Sequence, residues 1–343
     1  MADLYVTDLG SGMDASLAAT TDAGTEDDGP GRKKKRFGLS FWIPMSWVLV
    51  VLFCAIFGPL LPLKDPNTTD PCAQYVTPRF DINTGKETTP VYEPGQTDAS
   101  GLRLDKCTLD SKPSAKPSTT HPLGTDAQAR DTLSRLVAGA RVAMIAGVVT
   151  IVIGLVIGGT IGLIAGYFRG AVETVLMAIV DIMLAFPTLV LALAIVAILG
   201  RSLTNACIAI TVVSIPAFAR ITRANTLAFA EREFVTAARV MGAKHIRIMT
   251  KEILPNVIFP VLAFALVAVA IAIVAEGALA FLSLSVKDPN ASWGQMINDG
   301  RSTLEDAPYV ALIPAGAMFV TVLCFNLLGD KFRQIFNVKD AAL

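Results

Sequence analysis

Charge is scarce in this sequence. Asp, Glu, Lys and Arg make up 17% of 343 residues, against 53% hydrophobic residues, and mean hydropathy is +0.55. A soluble domain carries about 25% charge, so much of this chain's surface is expected to face lipid. Acids and bases balance at 29 each, which argues neither for nucleic acid nor for a strongly acidic partner, and no nucleic acid is expected. Only two histidines occur, His121 and His245, and they are far apart. No His, Cys and carboxylate cluster has metal-ligand spacing, so no metal site is expected. Also missing is any G-x-x-x-x-G-K-[ST] sequence, so the chain has no P-loop of its own. No serine elbow or zinc motif points to hydrolysis within the membrane.

Cysteine is sparse too, at five residues. Cys54, Cys207 and Cys324 lie in apolar runs and read as small packing residues. Cys72 and Cys107 both fall in a hydrophilic stretch after the first apolar run. Placed outside the cytoplasm, they are a candidate disulfide that would constrain the loop by roughly 3–4 kcal/mol; two free thiols are the alternative.

Long apolar runs are what the sequence does have. Residues 1–31 are rich in Asp, Glu, Gly, Ser, Thr and Ala and read, with Arg32-Lys33-Lys34-Lys35-Arg36, as a disordered tail over 1–36. The run Phe41 to Leu61 follows, roughly 31 Å long as a helix and enough to cross a bilayer. It starts too deep, and no small-residue cleavage site follows it, so it reads as an uncleaved anchor over 37–62 rather than a signal peptide. Further spans are expected at about 142–168, 173–199, 204–219, 257–280 and 308–329, with Pro216 and Arg220 ending the fourth. The basic cluster before the first span puts the N-terminus in the cytoplasm, and six spans return the C-terminus there. Arg220, Arg223, Arg232, Arg239, Lys244, Arg247 and Lys251 then fall on the cytoplasmic side, as does Lys331-Phe332-Arg333. The loop 63–140 lies outside. Its last part, from Asp126 to Arg141, has helical spacing and reads as an amphipathic helix on the membrane interface. The fold class is therefore an all-α membrane protein: an anchor helix plus a five-helix core over 141–338, with a cytoplasmic loop at 220–256.

Several residues within this frame carry chemistry or mechanics. Gly154, Gly158, Gly162 and Gly166 form a small-residue stripe that lets a neighbouring helix approach closely. It serves either tight packing within the subunit or a sliding interface. Asp181 lies about nine residues inside the third span. At that depth a charge costs on the order of 3 kcal/mol unless it faces protein or water, so it is expected to point into the bundle. It either meets substrate or pairs with a base such as Arg220. Glu276, late in the fifth span, raises the same question. Two carboxylates without an Asp/Glu/His relay do not make a proton pathway. In the segment EREFVTAARVMGAKHIRIMTKEILPN (231–256), two short amphipathic helices meet at Gly242, and Pro255 opens the next helix. An apolar-faced helix projecting from a membrane domain needs a groove to occupy; lying flat on lipid is the alternative.

That segment resembles the coupling-loop motif of ABC importer permeases, written EAA, three residues, G, then I-L-P. Here it reads Thr236-Ala237-Ala238, Gly242 and Ile253-Leu254-Pro255, with Thr236 in place of the family's glutamate. Other stretches resemble the C-type subunit of the oligopeptide, dipeptide and nickel group. They are Leu63-Lys64-Asp65-Pro66-Asn67; His121-Pro122-Leu123-Gly124-Thr125-Asp126; Arg130-Asp131; Leu133-Ser134-Arg135-Leu136; and Gly139-Ala140-Arg141. Gly166-Tyr167-Phe168, Ser292-Trp293-Gly294 and Asn326-Leu327-Leu328-Gly329-Asp330 complete the set. Ala129 stands where the family often has glycine. The match spans about residues 37–338; the tail and the long loop with Cys72 and Cys107 fall outside it.

The resemblance implies a non-catalytic permease of the bacterial inner membrane that imports peptides. Its partners would be a homologous second permease, two cytoplasmic P-loop ATPases and an extracytoplasmic solute-binding protein. Lipid surrounds the assembly. The chain would need no cofactor itself, ATP and Mg belonging to the ATPases. Residues 236–255 would transmit the ATPase stroke. The loop around Ser292-Trp293-Gly294 is a candidate dock for the binding protein, or else Trp293 anchors at the membrane interface. Other classes are an ion-coupled secondary transporter, for which inverted repeats or broken helices are expected, a membrane receptor or scaffold working through its outer loop, and an exporter.

Overall fold

A computed structural model of the chain describes residues 39–73, 79–81, 86–88, 96–97, 102 and 113–335. The tail and Cys107 lie outside the described residues. The described part is helical except for turns and a short antiparallel ribbon, β1 (Arg79–Asp81) against β2 (Lys86–Thr88), in the long loop. Helix α1 spans Leu39–Phe57; α2, Thr132–Met144, leads through a π-helical turn at Ile145–Val149 into α3, Thr150–Phe168. Then come α4 (Gly170–Leu184), α5 (Thr188–Leu199), α6 (Leu203–Ala230), α7 (Glu233–Val240) and α8 (His245–Arg247). A second π-helical turn, Ile248–Ile253, opens α9 (Leu254–Phe281), and α10 (Trp293–Asp299) and α11 (Tyr309–Ile335) end the described chain.

Among the described residues, five helices are long and apolar enough to cross a membrane, and a sixth span results if α4 and α5 count together. That pair departs from the expected straight third span. The two halves meet at 83°, and Pro187 precedes the first residue of α5. Proline disfavours α-conformation in the residue before it, so the first half ends ahead of Pro187. The fourth span departs in the other direction. Pro216 is accommodated inside a 28-residue helix that continues past Arg220 to Ala230, so the projecting loop begins at Glu231 rather than 220. Membrane helices tolerate proline where neighbouring groups re-satisfy the backbone.

Nor does the stretch before the second span lie on an interface. Asp131 caps α2 by accepting from the Ser134 backbone N–H at 2.8 Å. Thr132, Ser134, Arg135, Gly139 and Ala140 are buried, and the helix runs into α3 as one 37-residue rod. Polar residues there meet protein rather than headgroups.

The glycine stripe packs α3 against α6 within this one chain, and all four glycines are buried. A Cβ on Gly158 would sit 2.8 Å from the Phe218 Cβ, and one on Gly162 would run into the Ala219 carbonyl and come within 2.8 Å of the Arg223 nitrogen. Two helix backbones therefore touch, which only glycine permits here. Gly162→Ala is expected to lower stability by about 1–3 kcal/mol, read as a drop in the melting midpoint of the purified protein. Gly159→Ala, whose Cβ meets nothing nearer than 3.8 Å, should leave it unchanged.

Candidate functional site

The projecting segment is built from α7, α8 and the second π turn. Two hydrogen bonds close α7: Gly242 N donates to the Arg239 carbonyl and Ala243 N to the Ala238 carbonyl, each at 3.0 Å. With Gly242 at φ +78°, this is a Schellman closure, which needs a left-handed residue just past the helix end. The inner face of α7 presents buried Val235 and Ala238, and the same apolar core contains Ile248 and Ile253 from the π turn. The outer face is left bare. Val240, Met241 and Ile246 are 83%, 79% and 71% exposed. Thr236, Ala237, Gly242, Leu254 and Pro255 are also on the surface. The seven motif residues thus divide: Ala238 and Ile253 hold the segment together, and the other five lie outside.

The segment is tied to the end of α3. The Tyr167 hydroxyl lies 2.8 Å from His245 Nδ1, and the Arg239 guanidinium sits 5.5 Å from the Tyr167 ring centre. The helical spacing of the segment marks Met241 and Ile246 as apolar-face residues but not Val240 or the His245 tie, because spacing alone does not say which apolar residues are left over after packing.

Ion pairs join α4 to α6 and to the turn after it. Arg220 donates to Asp181 at 2.7 Å, Arg223 Nε to Glu173 at 2.6 Å, and Arg169 to Glu231 at 2.8 Å. The Asp181–Arg220 side chains are 58% and 55% exposed. Asp181 therefore does not point into the chain's own bundle as expected; it lies on the surface, paired across to α6. Glu276 is the reverse case, only 2% exposed, with the Ser285 hydroxyl donating to it at 2.8 Å. It sits inside the chain rather than along an open path.

At the other end of the α2–α3 rod, the motif residues from His121 to Arg135 form a buried clasp. His121 lies 2.9 Å from Asp131 through Nδ1 and 3.1 Å from Asp70 through Nε2. Arg130 bridges Asp126 at 2.7 Å and Asp299 at 3.1 Å. Arg135, fully buried, reaches Asp126 at 3.2 Å and donates to the carbonyls of Pro66 and Pro289 at 3.1 and 3.0 Å. Burial pushes the Asp299 carboxyl above the usual carboxylate range, against the lowering effect of Gln295, Arg130 and Arg135. Cys72, two residues beyond Asp70, is disulfide-bonded, whereas Cys54, Cys207 and Cys324 are free.

Ser292, Trp293 and Gly294 belong to this clasp and not to an exposed docking face. Trp293 is 3% exposed and its indole N–H donates to the Leu136 carbonyl at 2.9 Å. Gly139 packs against its ring, and a Cβ on Gly294 would lie 2.7 Å from Gly277 Cα. The tryptophan fills a protein joint, so its own side chain is neither an exposed docking contact nor a membrane-interface anchor, while Lys287, Asp288, Pro289 and Asn290 of the same loop are exposed.

The family described as "Binding-protein-dependent transport system inner membrane component" matches residues 158–337. The glutathione transport system permease protein GsiD of Pectobacterium atrosepticum is 40% identical over 223 residues, 65% of this chain and 74% of that one. GsiD of Escherichia coli O6:K15:H31 is 41% identical with the same coverage. Among solved structures, inward-facing MetNI methionine ABC transporter superposes with a TM-score of 0.50 at 21% identity, covering 59% of this chain and 97% of that one. That likeness is one of fold.

Proposed function

The chain belongs to the family of binding-protein-dependent transport system inner membrane components, and from that premise we propose that it forms half of the path of a small-peptide importer and takes its drive through residues 231–256. It is a multi-pass protein of the bacterial inner membrane and a non-catalytic permease subunit of an ABC importer. Peptide cargo, glutathione being one example, follows from the names of the relatives. The reading includes a second permease, a pair of cytoplasmic ATPases that hold the ATP and Mg, and a binding protein on the outside. Both termini and the projecting segment lie in the cytoplasm.

One observation carries the coupling role: Val240, Met241 and Ile246 stay bare at the tip of a segment whose other face is packed. Large apolar residues held out together on a rigid turn call for a protein groove. The same segment connects, through Tyr167–His245 and the α4–α6 ion pairs, to the bent α4–α5 pair. A stroke at the tip is thereby passed into the membrane. The Asp181–Arg220 pair is too costly to leave against lipid, so that face is assigned to the second permease or to the aqueous path.

Affinity purification of the tagged chain from native membranes tests the assembly. Recovery of a second multi-span permease together with P-loop ATPases is expected. A well-folded chain recovered with no ATPase would overturn the importer reading in favour of an ion-coupled transporter or a receptor.

A further inference from the structure

A cavity of about 710 Å³ opens at the clasp end, between the end of α1, one face of α2 and the loop before α10. Three cations line it, Lys64, Arg141 and Lys287, against one carboxylate, Asp65. Asp65 is turned to its own loop, accepting from the Asn67 backbone N–H at 2.9 Å. Lys64 is partly answered by Asp70 at 3.6 Å. Arg141 and Lys287 are exposed, and neither side chain has an ion pair or hydrogen bond to any described residue.

The deeper wall of the cavity is apolar, with Val137, Val142 and Ile145 on the α2 side. Beyond Ile145 the same rod continues with Val149, Val152, Ile153 and Val156, all exposed at 44–61%. From Ile145 to Val156 is about 16 Å at 1.5 Å per residue, half of a hydrocarbon core about 30 Å thick. Two unanswered cations therefore stand at the head of an apolar track as long as one leaflet is deep.

We propose that this cleft is a binding site for an anionic phospholipid, its phosphate held by Arg141 and Lys287 and an acyl chain lying along the α3 track. A peptide would not use the track, which leads away from the cations into hydrocarbon. A helix of a neighbouring subunit would need an acid at the level of the cations; a lipid brings both parts in one molecule. The site is independent of the transport reading.

The test uses the full chain, with whatever subunits co-purify with it, in nanodiscs of phosphatidylcholine containing a trace of photoactivatable phosphatidylglycerol. Illumination is expected to label peptides from the end of α1 and from α2 and the following π turn. The Arg141→Gln/Lys287→Gln chain should lose that label by at least about ten-fold, with labelling elsewhere unchanged. Both residues are exposed, so the variant is expected to fold, and its melting midpoint checks this. Equal labelling of the native and doubly substituted chains would overturn the proposal. So would cross-linking of the cleft to another subunit in place of lipid, which would assign the surface to protein.

Discussion

Replacing Val240 and Met241 together by glutamate lowers peptide uptake by roughly a hundred-fold or more, while the chain still inserts and folds. The size follows from what a buried apolar hot spot contributes to an interface, about 2 kcal/mol or more for each central residue; a charge forced into the groove adds a desolvation penalty. Folding is spared because these side chains are 83% and 79% exposed, whereas the residues that hold α7 to the π turn are Val235 and Ala238 on the opposite face. Uptake of a labelled peptide, with the ATPase retained on affinity purification as second readout, separates the cases. Loss of both is expected. Near-normal uptake would remove the tip from the coupling mechanism and leave it as a surface that meets lipid.

The sequence pattern carried the membrane class and the order of spans, because long apolar runs report lipid contact directly. It did not carry direction. Residues 173–199 are apolar on both sides of Pro187, so hydropathy sees one span where the backbone turns by 83°. The extent of α6 was hidden for the opposite reason. Arg220 and Arg223 look like the end of a span, yet both are neutralised by acids of α4, and the helix runs on for another two turns. Gly242 was legible as a turn because glycine at a helix end has few other uses. Trp293 was not, since an aromatic beside a loop has the same spacing whether it is buried or bare. His121 belonged to a recognisable signature but its pairing was not legible; its partners Asp70 and Asp131 stand 51 and 10 residues away, and only the folded loop brings them together.

The clasp is where one substitution is expected to cost most stability. Arg135 joins the loop after α1, the loop before α2 and the loop after α9 through Pro66, Asp126 and Pro289, and its side chain is wholly buried. In Arg135→Met the methylene stem is kept but the guanidinium is gone. Two carbonyls lose their donor, and Arg130 becomes the one described cation left to pair with Asp126 and Asp299. Breaking a buried pair by removing one partner costs about 3–5 kcal/mol, which for a chain of this size is a fall of about 4–7 °C in melting midpoint. Arg135→Lys restores the charge but not the planar fork that reaches carboxylate and carbonyls at once, so partial recovery is expected. Removing one of the two under-compensated carboxylates as well separates electrostatics from packing. Arg135→Met with Asp126→Asn should be less damaging than the two single losses added together, because one carboxylate then remains for the one remaining guanidinium, Arg130. An unchanged midpoint in Arg135→Met would show that the clasp only fills space and that the loops are held by their backbone and the Trp293 joint.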